Sequence, residues 1–240
     1  MAVSLQTILS RVTTLLQDPT FVRWPLTELY GYVADGEKEV CLFKPNAYIT
    51  LGNTQLAAGS KQTLPSGGLA LLDVIRNRGA AGTTEGAAIR VVSREILDAQ
   101  IPNWHTTAGD GTVKHYVYNP LDPVHFYVYP PQPATPHYVE LLYGGVPTGL
   151  SSYTSDGSTL AHYSSVNINL PDIYLNPLVN YTLFRAYSKD AEYAQNGVLA
   201  QKYYELFMGA VTGKTAVEQA VNPNQNIGGF NPNMATGAPK

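Results

Sequence analysis

The spacing of apolar residues changes period twice along this chain, and that double switch limits the folds open to it. Leu5, Ile8, Leu9, Val12, Leu15 and Leu16 recur at intervals of three and four, which places them on one face of a helix ending near Asp18-Pro19. A second helical stripe runs through Leu26, Leu29, Tyr30, Val33, Val40 and Cys41, opened by Pro25 and closed at Lys44-Pro45. Gly31 and Gly36 each weaken that helix by up to about 1 kcal/mol relative to alanine, so packing has to hold it. From Ala47 the period shortens. Residues 47–51, 55–58, 62–64, 70–76 and 88–92 read as strands broken by turn signals, with a glycine-rich loop at 77–86 and a short helix at 93–99 capped by Ser93. Runs of similar length at 113–118, 124–129 and 138–143, joined by proline-bearing connectors, predict an antiparallel meander.

Helical spacing returns at Pro171 through Tyr174, Leu178, Tyr181, Leu183, Phe184 and Tyr187; Pro177 either kinks this segment or sits in its first turn after an Asn176 cap. A last helix is predicted to follow the Asn196-Gly197 junction, to use Leu199, Tyr203, Leu206, Phe207 and Val211, and to stop at Gly213. The short connection implies an antiparallel pair. The expected class is α+β: a helical bundle from the N- and C-terminal helices (1–45 and 171–215), an inserted antiparallel β module (46–170) and an extended C-terminal tail (216–240). Within the module, 151–169 is rich in Ser, Tyr and Thr and reads as an excursion or hairpin tip.

The tail from Asn222 to Lys240 does not fold alone. Ordering a residue's backbone costs about 1–2 kcal/mol, so fixing this segment costs on the order of 20–40 kcal/mol. Its sizeable apolar side chains are Ile227, Phe230 and Met234, and burying each returns roughly 1.5–3 kcal/mol. Such a segment orders where another surface supplies pockets and main-chain hydrogen bonds, as in strand addition to a sheet edge. The plain alternative is a frayed terminus.

Composition narrows the partners. Charged residues make up only 14%, and 17 tyrosines stand against 6 phenylalanines, a mix suited to packing against other proteins because tyrosine joins apolar area to a hydrogen-bonding tip. A turn-rich β domain consumes the same residues. The net charge of -3 argues against gripping nucleic acid through phosphate neutralisation, which needs clustered Lys and Arg. Cys41 is the single cysteine, so no cystine framework or zinc cluster is expected. Met1 to Gln6 lacks the basic segment and apolar run of a signal peptide, and no stretch reaches the roughly 20 apolar residues of a membrane span. The expectation is a non-exported chain without a membrane partner.

Catalytic patterns fail on spacing. Gly213-Lys214-Thr215 resembles the end of a phosphate-binding loop, but that loop requires glycine where Met208 stands and a strand before it. His105, His115, His125, His137 and His162 are widely spaced without pairing on a helix, so no metal is expected. Gly109-Asp110-Gly111 and Asp156-Gly157 lack the alternating oxygen ligands of a calcium loop and read as turns. Asp73, Glu85, Glu95 and Asp98 are candidate acids for glycoside hydrolysis, against the simpler reading of solvated or ion-paired carboxylates. Arg185, Tyr187, Tyr203 and Tyr204 are candidates for a subunit interface, where Arg and Tyr are enriched. No enzyme activity and no cofactor are expected.

Several pieces resemble a family of tailed-bacteriophage head-to-tail adaptor proteins. They are Arg23-Trp24-Pro25 with Glu28-Leu29, Ala58-Gly59-Ser60-Lys61-Gln62-Thr63-Leu64-Pro65, Asp73-Val74-Ile75-Arg76-Asn77 and Gly86-Ala87-Ala88-Ile89-Arg90. Pro102-Asn103-Trp104, Phe126-Tyr127-Val128-Tyr129-Pro130 and Arg185-Ala186-Tyr187-Ser188-Lys189-Asp190-Ala191 continue the match in order. The resemblance implies a non-enzymatic virion protein of the neck, a homo-oligomeric ring of twelve copies between the portal protein and the tail or nozzle protein, assembled in the host cytoplasm, through which genomic DNA passes without specific binding. It further implies that the C-terminal segment docks on the portal and that the β module reaches the tail side; Ile227, Phe230 and Met234, the tail's sizeable apolar residues, are the expected anchors. A second reading is a carbohydrate- or receptor-binding tail module that uses the aromatic-rich strands 116–143 as a sugar platform.

Overall fold

Amphipathic spacing becomes helix at both ends of the chain and sheet between them. The computed structural model describes residues 3–150, 157, 159–190 and 194–220. Contacts divide the chain into two compact units, one made of residues 1–47 and 147–240 and the other of residues 48–146. The class is α+β.

Helix α1 (Leu5–Leu16) buries Leu5, Ile8, Leu9, Val12 and Leu16, while Leu15, expected on that face, stays half exposed. Its start is pinned by a short antiparallel bridge in which the Leu5 N–H donates to the Val166 C=O and the Ile168 N–H to the Val3 C=O. Helix α2 (Leu26–Phe43) buries Leu26, Leu29, Val33, Val40 and Cys41 as its stripe predicts. The reason for Gly36 is close approach: a Cβ there would lie 2.9 Å from Tyr181 Cδ1 and 3.1 Å from Leu178 Cδ2 of helix α4 (Leu175–Lys189). What the glycine loses in helix propensity it gains as space for that packing.

Helix α4 is central to this unit, packing on α1, α2 and helix α5 (Ala194–Ala220). A 3-10 turn over Asp172–Tyr174 leads into it, and Tyr174, not Asn176, is its cap residue. Pro177 therefore falls in the first turn, where its missing N–H has no intrahelical partner to lose. Helix α5 is longer than its sequence signals suggest. Asn196-Gly197 lies inside its first turns and Gly213 is passed through, because a single glycine costs only about 1 kcal/mol in a long helix. The α4–α5 pair is antiparallel: Tyr187 meets Tyr203, Phe184 meets Tyr204 and Tyr181 meets Phe207. Leu206, expected in that interface, is 49% exposed on the other side of α5.

The second unit holds two sheets. In the first, strand β1 (Ile49–Gln55) pairs antiparallel with β7 (Tyr138–Gly145), which pairs on its other side with the twelve-residue β3 (Gly68–Gly79). In the second, the order is β2 (Gly59–Thr63), β6 (His125–Gln132), β5 (His115–Tyr118) and the two-residue β4 (Arg90–Val91). The last pair is parallel, so this sheet is mixed. The short helix α3 (Arg94–Gln100) covers part of it, with Leu97 and Trp104 packed on Val117.

The expected meander is half realised. Strands β5 and β6 pair antiparallel, but β7 leaves for the other sheet. The connector after Gln132 contains Pro133 and Pro136, which offer no N–H with which to continue a hairpin ladder. Residues 77–79 also belong to β3 rather than to a loop. The four register shifts along β3 let the strand bend without ending. Val74, Val139, Leu141, Phe126 and Val128 form the core between the sheets.

Candidate functional site

Two family-like motifs far apart in sequence meet on the helical unit. Arg23 pairs with Asp190 across 167 residues, and the Trp24 indole N–H donates to the Ala186 carbonyl at 3.2 Å. Lys189 Nζ donates to Glu28 at 2.6 Å, and the Arg185 guanidinium sits 5.3 Å over the Tyr32 ring with the Asp35 carboxylate at 4.0 Å. The Arg23 guanidinium also lies 4.9 Å from the Trp24 ring centre, and Tyr187 meets Trp24 edge-on. Residues 23–35 and 185–190 thus recognise each other by paired charges, a buried indole, an edge-on ring pair and a guanidinium over a ring.

The turn that presents Arg23 and Trp24 is built by Asp18. Its carboxylate accepts from the N–H groups of Val22 (3.3 Å), Arg23 (2.9 Å) and Trp24 (3.0 Å) and from the Thr20 hydroxyl (3.3 Å). These donors, the Trp24 N–H foremost, hold the Asp18 carboxyl below the ordinary aspartate range against the opposing effect of burial. Burial pushes the Glu28 carboxyl up, but Lys189 and the Tyr32 hydroxyl together outweigh it and leave the group lowered. Tyr32 is pushed up to about 12, first by burial and then by its bond to Glu28.

A second carboxylate fixes the entry to α4 from below. Glu37 is fully buried in α2 and accepts from the Asn169 N–H (2.6 Å), the Asn169 side-chain amide (2.8 Å) and the Leu170 N–H (3.4 Å). Burial raises its pKa and the three donors only partly offset that. Burial, with a smaller contribution from Glu37, pushes the Cys41 thiol up to about 12, which makes it a poor nucleophile.

Of the predicted interface residues, the structure brings Tyr187 and Tyr203 together as a parallel stack, 5.8 Å apart and 2° between planes. Tyr204 packs on Phe184 at 4.8 Å and on Phe207 at 6.1 Å, while Arg185 faces α2. Ile227, Phe230 and Met234 lie outside the described residues, as does Asp156. Sequence reasoning passed over Glu37, although its place between Val33 and Val40 on the apolar stripe was a usable signal. It also read Asp18 only as a helix end.

Several of the remaining candidates have partners within the fold. Glu85 pairs with Arg76 (3.1 Å) and Arg78 (3.6 Å), Asp98 accepts from the Trp104 indole (2.8 Å) and from Arg94 (3.2 Å), and Asp73 accepts from the Tyr116 hydroxyl (3.0 Å). Glu95 lies in the first turn of α3. His105 is bonded to the Ser60 hydroxyl, His125 to Asp122, and His115 stacks on Tyr129. Asp110 caps a turn through the Thr112 N–H, and residues 213–215 lie within α5 rather than in a phosphate-type loop. Among the described residues no group of three or more His, Cys, Asp or Glu is placed to hold a metal. No helix among them is long and apolar enough to cross a membrane. Two of the strand aromatics of the sugar-platform reading are engaged within the fold: Tyr116 is buried, and Tyr127 packs edge-on to Trp104.

The matching motifs thus brace a helical frame, and the acids and aromatics placed above are engaged in contacts within the fold. The comparison with known families agrees: residues 3–227 match the family described as SU10 adaptor protein, and the chain belongs to this phage head-to-tail adaptor family. Its role is that of a structural phage adaptor. No curated protein sequence matches the chain.

Proposed function

We propose that the chain forms a homo-oligomeric ring of twelve copies in the virion neck, between the portal and the tail or nozzle protein, enclosing part of the path taken by the genome. The family match over residues 3–227 is the observation that carries this reading. The α2–α4 brace supports it, because a ring subunit needs a helical surface that keeps its shape while neighbours dock. Arg185, 43% exposed even with Asp35 beside it, and the Tyr187–Tyr203 stack are the side chains proposed to meet a neighbouring copy. Contacts of this kind are heterologous and close around an axis. The net charge of -3 leaves passing DNA without strong attraction to the wall.

The deciding experiment is to mix the purified chain with its portal protein and measure particle mass and rotational symmetry by electron microscopy. A closed ring on the portal is the expected result. A lone monomer, or a trimer indifferent to the portal, would overturn the reading and favour a tail module.

A further inference from the structure

Among the described residues, three of the four edge strands of the second unit carry some guard against pairing and one does not. The outer edge of β3 is taken around residues 75–77 by the segment that follows it: the Asn77 N–H donates to the Ala87 carbonyl, the Ile89 N–H to the Ile75 carbonyl and the Gly86 N–H to the Asn77 carbonyl. Strand β4 is two residues long, and β2 carries Lys61. These are the usual guards against unwanted pairing. Strand β1 has none of them. Its sequence, Ile-Thr-Leu-Gly-Asn-Thr-Gln, holds neither charge nor proline over seven residues, and among the described residues only β7 pairs with it.

The direction of its free groups follows from its ends. The Tyr48 carbonyl accepts from the Gly145 N–H (2.9 Å) and the Leu56 N–H donates to the His137 carbonyl (3.1 Å), so even-numbered residues bond to β7. Antiparallel alternation then turns the N–H and C=O groups of Ile49, Leu51, Asn53 and Gln55 outward. Ile49 and Leu51 are also 51% and 56% exposed, which sets two apolar side chains beside an open main-chain edge.

We propose that this edge receives residues 224–231 of a neighbouring copy as an added strand. The segment lies beyond α5, runs for eight residues between Pro223 and Pro232 and so is long enough to span β1, and carries no charge, as the edge carries none. Ile227 is its apolar residue nearest the middle and pairs with the Ile49 and Leu51 side of the edge. No described strand of a second copy fits as well: two β1 edges would pair about a twofold axis and close at two, whereas tail into edge repeats head to tail. The inference rests on the ring reading above. It gives residues 224–231 a seat on a sister subunit, whereas the family resemblance implies one on the portal.

The test uses full-length chain assembled on its portal. With Leu51→Cys and Ile227→Cys in one chain, mild oxidation is expected to yield a ladder of covalently joined subunits, since the buried Cys41 does not compete. Rings without any intersubunit link would overturn the inference and leave the ring reading intact; failure of the unmodified chain to form rings would overturn both. Hydrogen exchange gives the second arm. The amides of Ile49, Leu51, Asn53 and Gln55 are expected to slow at least ~10-fold on assembly, and Leu51→Lys, a change at an exposed position, to abolish that slowing with the fold retained. Slowing of residues 222–240 without any at β1 would overturn the inference in favour of the portal seat.

Discussion

The two units fix their irregular segments with different chemistry. In the helical unit the buried polar staples are carboxylates: Asp18 gathers the N–H groups of residues 22–24, and Glu37 those of 169 and 170. In the sheet unit they are carboxamides. Asn77 donates to the carbonyls of Ala87 (3.0 Å) and Val113 (2.8 Å) and accepts from the Val113 N–H (2.8 Å). Gln62 bonds both to the Ala57 N–H (2.6 Å) and to the Ala57 carbonyl (2.8 Å), and Gln132 joins Asp110 to His137. A carboxylate suits a cluster of donors, as at a turn before a helix; a carboxamide suits strand edges, which offer donors and acceptors together. The lesson is that protonation acts on the staples of one unit and not on those of the other.

The largest effect should come from giving the sheet unit the wrong staple. Asn77→Asp places a carboxylate oxygen against the carbonyls of Ala87 and Val113, and urea unfolding should register a loss of roughly 3 kcal/mol or more near neutral pH. It should also acquire a dependence on acidity absent from the parent site; a neutral outcome would break the comparison. Glu37→Ala should cost about 3 kcal/mol by stranding the Asn169 and Leu170 donors, measured the same way. Glu37→Gln should cost less, about 1–2 kcal/mol, because an amide oxygen still accepts the main-chain N–H groups.

The pH profile sharpens the contrast, and its sign differs between the two carboxylates. Glu37 is raised in the folded chain, so the folded state holds its proton longer, and its share of stability is lost as pH climbs from about 4.5 through the raised value. Asp18 is lowered, so its share is present above about 3.8 and lost as pH falls below it. Denaturant midpoints measured across pH should flatten above 4.5 in Glu37→Gln and below 3.8 in Asp18→Asn. At constant pH, Asp18→Ala should cost about 1–2 kcal/mol, as the loss of a capping carboxylate does. The smallest change is expected from Lys189→Ala, under about 1 kcal/mol and shrinking with added salt, since its bond to Glu28 is partly solvated.

Much of the fold was legible because apolar spacing reports burial directly. The stripes of α1 and α2, the position of Tyr174 at the cap of α4 and those of Leu178, Tyr181 and Leu183 within it carry over almost residue for residue. What local pattern does not encode is which strand pairs with which: β7 has the alternation of a meander strand, and only three-dimensional competition for partners takes it to β1 and β3. The site was legible by halves. Arg23-Trp24 and Lys189-Asp190 stood out as motifs, but their meeting depends on a helix crossing made possible by Gly36, a contact no single stretch of sequence reveals.

The hydrogen bond from the Gly145 N–H to the Tyr48 carbonyl has an evolutionary reading. It brings the entry and exit of the sheet unit side by side, so a segment of residues 48–146 can be exchanged for another, or for a tight turn, while its two attachment points stay adjacent. Such an exchange leaves the sequence of the helices before and after it untouched.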